Sequence, residues 1–271
     1  MKLKDRLWIW GHGREAENSA GKPNHVTGRP GVGQLSCAEA AREMGIPNLC
    51  RIVIEPMEQP PFDAELEAAQ DMRQIVWSGL GCGIMEARDD FDEVISCAKK
   101  FPNITGAVMD DFFPNTNDLK AFTYTPDVLK GIREKLHSDA GRKLDLWVVV
   151  YSWDFEYNNI RVEDYLEHCD VGSIWTYNAN ELPKLEQTIA KMREKWGYEK
   201  PLYAGCYMWD FPNKRPVPPE LMTYQLDTFY RYLKEGKLDG IIFCHNYVVD
   251  LGLDAVEQVK NWIALHGEED F

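Results

Sequence analysis

The sequence predicts a single (β/α)8 barrel over residues 1–271, an α/β fold with parallel strands inside and helices outside. Eight short apolar runs alternate with eight amphipathic patterns. Most of the runs are apolar at consecutive positions, as strands covered on both faces are. The length of 271 residues is close to the roughly 250 typical of such barrels. A doubly wound open sheet also alternates, but the first strand-to-helix turn lacks the short glycine fingerprint of a dinucleotide-binding unit. No linker or compositional break divides the chain.

The strands are read where β-branched or aromatic runs end in polar residues. They are Leu7–Trp10, Leu49–Ile54, Gln74–Ser78, Ile104–Asp110, Leu144–Tyr151, Val171–Tyr177, Pro201–Tyr207 and Gly240–His245. Ser36 and Glu39 form a capping box before the first helix, Ala38–Met44, and Gly45 closes it. Asp63–Arg73 gives the second helix, and Phe91, Val94, Ile95 and Ala98 the inner stripe of the third. Thr125-Pro126 opens the fourth as N-cap and first helical residue. Val162–Cys169, the stripe Leu182 to Trp196, Glu220–Glu235 and Ala255–Leu265 complete the set. The long connections, Gly11–Leu35 and Phe113–Tyr124, follow strands one and four, on the face where barrels keep their chemistry. The run Gly28-Arg29-Pro30-Gly31-Val32-Gly33 lacks the Lys-Ser/Thr of a phosphate cradle and reads as a lid segment.

The formal charge of −14 repels phosphate backbones and anionic lipid, which argues against nucleic-acid and membrane partners and favours a neutral substrate. The seven cysteines include no Cys-x-x-Cys, so neither a disulfide framework nor a zinc ribbon is readable. With no signal-like apolar segment at the N-terminus and no run long enough to span a bilayer, a cytoplasmic location is expected.

If the barrel closes, every strand tip meets at one mouth. The tips supply Trp10 and His12, Glu55, Trp77, Asp110 and Asp111, then Tyr151, Trp153 and Asp154. Trp175, Tyr177 and Asn178 follow, then Tyr207, Trp209 and Asp210, and finally His245 and Asn246. The motif Tyr-x-Trp-Asp-Phe occurs twice, at Tyr151–Phe155 and Tyr207–Phe211. Aromatic faces stack on the C–H faces of sugar rings while carboxylates and amides bond hydroxyls, so this mixture suits a saccharide. Glycoside hydrolysis needs two carboxyl groups flanking the scissile bond. Neighbours on a regular strand point to opposite faces, so Asp110 and Asp111 are not expected to pair with each other. Asp111 or Asp110 is the expected general acid, with Asp210 as base or nucleophile and Asp154 second in line. No cofactor or metal is expected. The alternatives are a divalent-metal barrel using His12 and His245 with Asp110 or Asp154, and a sugar-binding barrel without catalysis.

Gly106-Ala107-Val108-Met109-Asp110-Asp111-Phe112 resembles the strand-four acidic segment of several TIM-barrel glycoside hydrolases, and Met208-Trp209-Asp210-Phe211 a strand-seven acidic end. At the level of element order the resemblance to that superfamily spans nearly the whole chain. It implies cofactor-free, acid-catalysed cleavage of a glycosidic bond at the carboxyl face of the barrel. The chain departs from the families with glutamates after strands four and seven, and the Asp-x-x-Asp-x-Asp-x-Glu run of chitinase-like barrels is absent.

Overall fold

A computed structural model describes residues 1–14, 31, 33–54, 58–81, 89–113, 124–156 and 160–271. Glu55 and most of the glycine-rich run lie outside them. The order is β1 (Leu7–Gly11), α1 (Cys37–Met44), β2 (Asn48–Arg51), α2 (Asp63–Ala68), β3 (Gln74–Leu80), α3 (Phe91–Lys100), β4 (Ile104–Met109) and α4 (Pro126–Ser138). There follow β5 (Asp145–Tyr151), α5 (Val162–Leu166), β6 (Val171–Trp175), α6 (Leu185–Trp196), β7 (Leu202–Tyr207), α7 (Pro219–Lys234), β8 (Gly240–Cys244) and α8 (Asp254–His266). All eight strands pair in parallel and in chain order, and β1 closes the sheet by pairing with both β2 and β8. The open-sheet alternative is thereby settled in favour of the barrel. A two-residue ribbon, Trp209–Asp210 against Arg215–Pro216, follows β7. No described helix is long and apolar enough to cross a membrane.

The local signals act as read. Ser36 and Glu39 make the reciprocal capping box, Gly45 takes the left-handed C-cap at φ 68°, and Thr125 caps α4 ahead of Pro126. Strand ends differ from expectation. β2 stops at Arg51, β4 at Met109 and β6 at Trp175, because the next residues turn to build loops.

Side-chain alternation divides the sheet into two cores. The outer one fills the layer between strands and helices. The inner one runs up the barrel axis from Trp8, Trp147, Val171 and Tyr203 to Trp10, Trp175, Tyr151 and Tyr207. Trp8 lies 5.0 Å from Trp147 and 5.9 Å from Tyr203, while Trp10 meets Trp175 edge-on at 5.1 Å. These rings plug the barrel, so the mouth is a well with an aromatic floor. Gly205 on β7 makes room for the plug, since a Cβ there would overlap the Trp175 indole. Gly205→Ala should therefore cost about 1–3 kcal/mol or more in urea unfolding and disturb the floor of the site. An unfolding midpoint equal to that of the parent would show that the indole yields without cost.

Candidate active site

The acid pair stands at the tip of β4. Val108 faces the barrel axis, so Asp110, two residues on, faces it too; the residue is 6% exposed. Asp111 would point outward on a continuing strand. Instead it adopts φ 46°, a left-handed conformation open to short polar residues, and its carboxylate swings back towards the mouth. Tyr151, on neighbouring β5, donates its hydroxyl to Asp111 Oδ1 at 2.8 Å. The expectation that the two acids stay apart is thus corrected, because the strand ends before them and the backbone reverses between them. Burial first, and the Asp111 charge second, push the Asp110 carboxyl well above the usual carboxylate range, although the Asp111 backbone N–H bonds to it.

An arc of rings runs from β5 round to β1. Trp153 stacks on Tyr151 at 4.5 Å and 8°. Tyr177 meets both edge-on, lies 5.6 Å from Tyr207, and stacks on Phe211 at 6.0 Å and 4°. Phe211 stacks in turn on His245 at 5.6 Å, and Tyr247 bridges His245 to His12. The Tyr207 ring also packs on Trp175 at 5.2 Å, joining the arc to the floor.

Backbone contacts anchor both histidines. His12 Nδ1 lies 3.2 Å from the Ile52 carbonyl, which can only accept, so this nitrogen carries the proton. His245 Nδ1 accepts from the Tyr247 backbone N–H at 3.2 Å. The rings therefore take opposite tautomers, with centroids 6.2 Å apart. Asn246 is fully buried and structural. It accepts from the His12 N–H and donates to the carbonyls of His12 and Leu35, tying the β1 and β8 exits together.

Other expected site residues lie elsewhere. Trp77 occupies an outward position on β3 and packs against Phe62 and the Arg51 guanidinium, each at 5.2 Å. Alternation with the inward Val76 decides this. Trp209 is buried in the outer core. Asp210 is 0% exposed and accepts from Asn213 Nδ2 at 3.0 and 2.9 Å, Arg215 Nε at 3.2 Å and the Ala179 N–H at 3.4 Å. Its carboxylate pins the ribbon after β7. Asp154 accepts from the Tyr151 backbone N–H at 2.7 Å and so sets the end of β5. The two copies of the motif thus serve different ends: the first presents Tyr151 and Trp153, the second Tyr207 and Phe211.

Among the described residues, three possible metal-ligand side chains gather at His137, Asp145 and Asp170, near the starts of β5 and β6 and far along the barrel from the tips. There Asp170 already holds Arg133 at 2.7 Å, and Lys143 pairs with Asp145 at 2.8 Å. This charge network gives no support to a metal built on His12 and His245. Sequence reasoning missed Phe211, Tyr247 and the buried Arg51. Phe211 was legible as the last member of a motif whose tyrosine faces inward, whereas Tyr247 and Arg51 carry no local signal.

The fold is a closed (β/α)8 barrel, one that solved glycoside hydrolases share. No family model matches the chain, and no curated protein matches it. Solved structures do match. A family 18 N-acetylglucosaminidase from Paenibacillus barengoltzii is similar with a TM-score of 0.57 at 11% identity, over 94% of this chain and 99% of that one. A chitinase from Bacteroides thetaiotaomicron gives 0.58 at 9% identity, over 100% and 99%. A GH128 endo-β-1,3-glucanase from Amycolatopsis mediterranei, in complex with laminarihexaose, gives 0.50 at 11%, over 94% and 98%. At such identities the likeness is one of fold.

Proposed function

We propose that the protein is a glycoside hydrolase for a neutral oligosaccharide, with Asp110 as the general acid. The observation that carries this reading is the buried Asp110, its carboxyl pushed well above the usual carboxylate range by burial and by Asp111 beside it, at the foot of an aromatic well. An acid that holds its proton more tightly than an ordinary carboxyl is what protonation of a leaving glycosidic oxygen requires. Trp153, Tyr177 and Phe211 offer ring faces for the sugar, and Trp10 and Trp175 close the floor beneath it.

Asp110 and Asp111 stand on one strand tip and hence on one side of a bound glycosidic bond. Two flanking carboxyls need groups on both faces, whereas a 2-acetamido sugar brings its own attacking oxygen. With Asp210 engaged by Asn213 and Arg215, the second route fits this well better. Asp111 would then hold the acetamido group while Asp110 protonates the leaving oxygen. The names of the family 18 neighbours, an N-acetylglucosaminidase and a chitinase, agree with such a substrate.

The test is hydrolysis of chitooligosaccharides against laminarioligosaccharides of equal length. Turnover confined to the acetamido series is expected. Turnover of the glucan alone would overturn the acetamido route, and binding of either without turnover would overturn the assignment as a hydrolase.

A further inference from the structure

We propose that Tyr151 is a positioning residue for Asp111, aimed by the Tyr-x-Trp-Asp segment in which it stands. The inference rests on the hydrolase reading only for its kinetic consequence. The Tyr151 hydroxyl reaches from the end of β5 to the turn after β4, its neighbour in the sheet, and donates to Asp111 Oδ1 at 2.8 Å. With one carboxylate oxygen held, the direction of the other is set as well.

Asp111 needs such a hold. Its φ of 46° is a conformation that few residues other than glycine adopt, and it persists where neighbours over-determine it. Tyr151 supplies a bond that a side chain pointing outward from β4 could not accept. Tyr151 is braced in its turn. The Asp154 carboxylate accepts the Tyr151 backbone N–H at 2.7 Å and so folds the chain back on itself. The fold lays the Trp153 indole flat on the Tyr151 ring, at 4.5 Å and 8°, and Tyr177 meets that ring edge-on at 6.4 Å. Burial pushes the phenol well above its ordinary range, so it stays a neutral donor. The motif alone does not dictate this brace. In its second copy Asp210 bonds Asn213, Arg215 and the Ala179 N–H, and Trp209 lies in the outer core. On the acetamido route Asp111 must meet the substrate in one orientation, and holding it there before binding spares that ordering at the transition state.

Tyr151→Phe removes one oxygen and keeps a ring to stack on Trp153. Proton NMR of the parent should show a slowly exchanging tyrosine hydroxyl resonance that Tyr151→Phe abolishes. In Asp111→Asn the same resonance should move upfield, because an amide oxygen accepts more weakly than a carboxylate. On a turned-over substrate, Tyr151→Phe should lower kcat about 10- to 100-fold with KM unchanged, the range for a hydrogen bond to a charged group. The loss in Asp110→Asn should shrink on aryl glycosides with better leaving groups, whereas that in Tyr151→Phe should not, since Asp111 does not protonate the leaving oxygen. A resonance that ignores Asp111→Asn would overturn the proposal. So would a normal kcat, a change in KM alone, or a Tyr151→Phe loss that better leaving groups repair. A protein inactive on every glycoside would sink the hydrolase reading by itself, and the resonance would still decide whether Tyr151 holds Asp111.

Discussion

Asp110→Asn should lower kcat by about 10²–10⁴-fold, the range of a lost general acid, and should raise thermal stability at neutral pH. The two effects share one cause. Burial and the neighbouring Asp111 raise the proton affinity of Asp110 in the folded chain above its unfolded value near 3.8. A raised acid binds its proton more tightly folded than unfolded. Its contribution is therefore most favourable at low pH and is lost as pH climbs from about 4 towards the raised value. An amide escapes that loss, so the melting temperature of Asp110→Asn should exceed that of the parent at pH 7 to 8, with the gap closing near pH 4. Activity of the parent should decline on the alkaline side as Asp110 gives up its proton. Kinetics together with melting curves at several pH values check both. A variant that is stabilised yet fully active would show that Asp110 is buried for some purpose other than proton transfer.

The largest loss of stability is expected from Arg51→Ala. Arg51 is 1% exposed on β2, with Nε 2.6 Å from Glu65, Nη2 also bonded to Glu58, and the Trp77 ring 5.2 Å away. Burial alone would weaken its hold on a proton, but Glu65 and Glu58 more than reverse that. Glu58 accepts the Ile54 N–H at 2.8 Å, so the cluster also fastens the β2 exit. Truncation leaves two carboxylates facing each other with no cation between them, a change that costs about 3–5 kcal/mol. Urea unfolding should show the loss, and adding Glu58→Leu and Glu65→Met should recover much of it. A loss below about 1 kcal/mol would mean that water reaches the cluster and screens it.

The barrel was legible because strands covered on both faces write themselves as unbroken apolar runs, and because Ser36 with Glu39, and Thr125 with Pro126, mark helix starts with local chemistry. Six of the mouth aromatics, Trp10, Tyr151, Trp153, Trp175, Tyr177 and Tyr207, could be named from their place at strand tips. Trp77 and Trp209 could not be sorted from them by tip position alone. Which face a strand residue takes is a matter of parity, and a one-residue shift in counting moves an indole from the well to the outer layer. The acid pair was legible as residues and misread as geometry. The left-handed turn at Asp111 is held by Tyr151, 40 positions away in the chain, and no local pattern announces it. Asp210 had the right composition and the right strand. Asn213 and Arg215, close by in sequence, carried the warning that its oxygens were spoken for.

The interlocked indoles at the base of the well divide the molecule into a storey that resists change and one that invites it. Trp8, Trp147 and Tyr203 touch one another and Trp10 touches Trp175, so a substitution in either set is felt by the other rings of that set. Trp153 and Phe211 hang above that foundation on loops. Retargeting this scaffold to another ligand would accordingly proceed by exchanging the upper rings singly, while the lower ones pass from variant to variant unaltered.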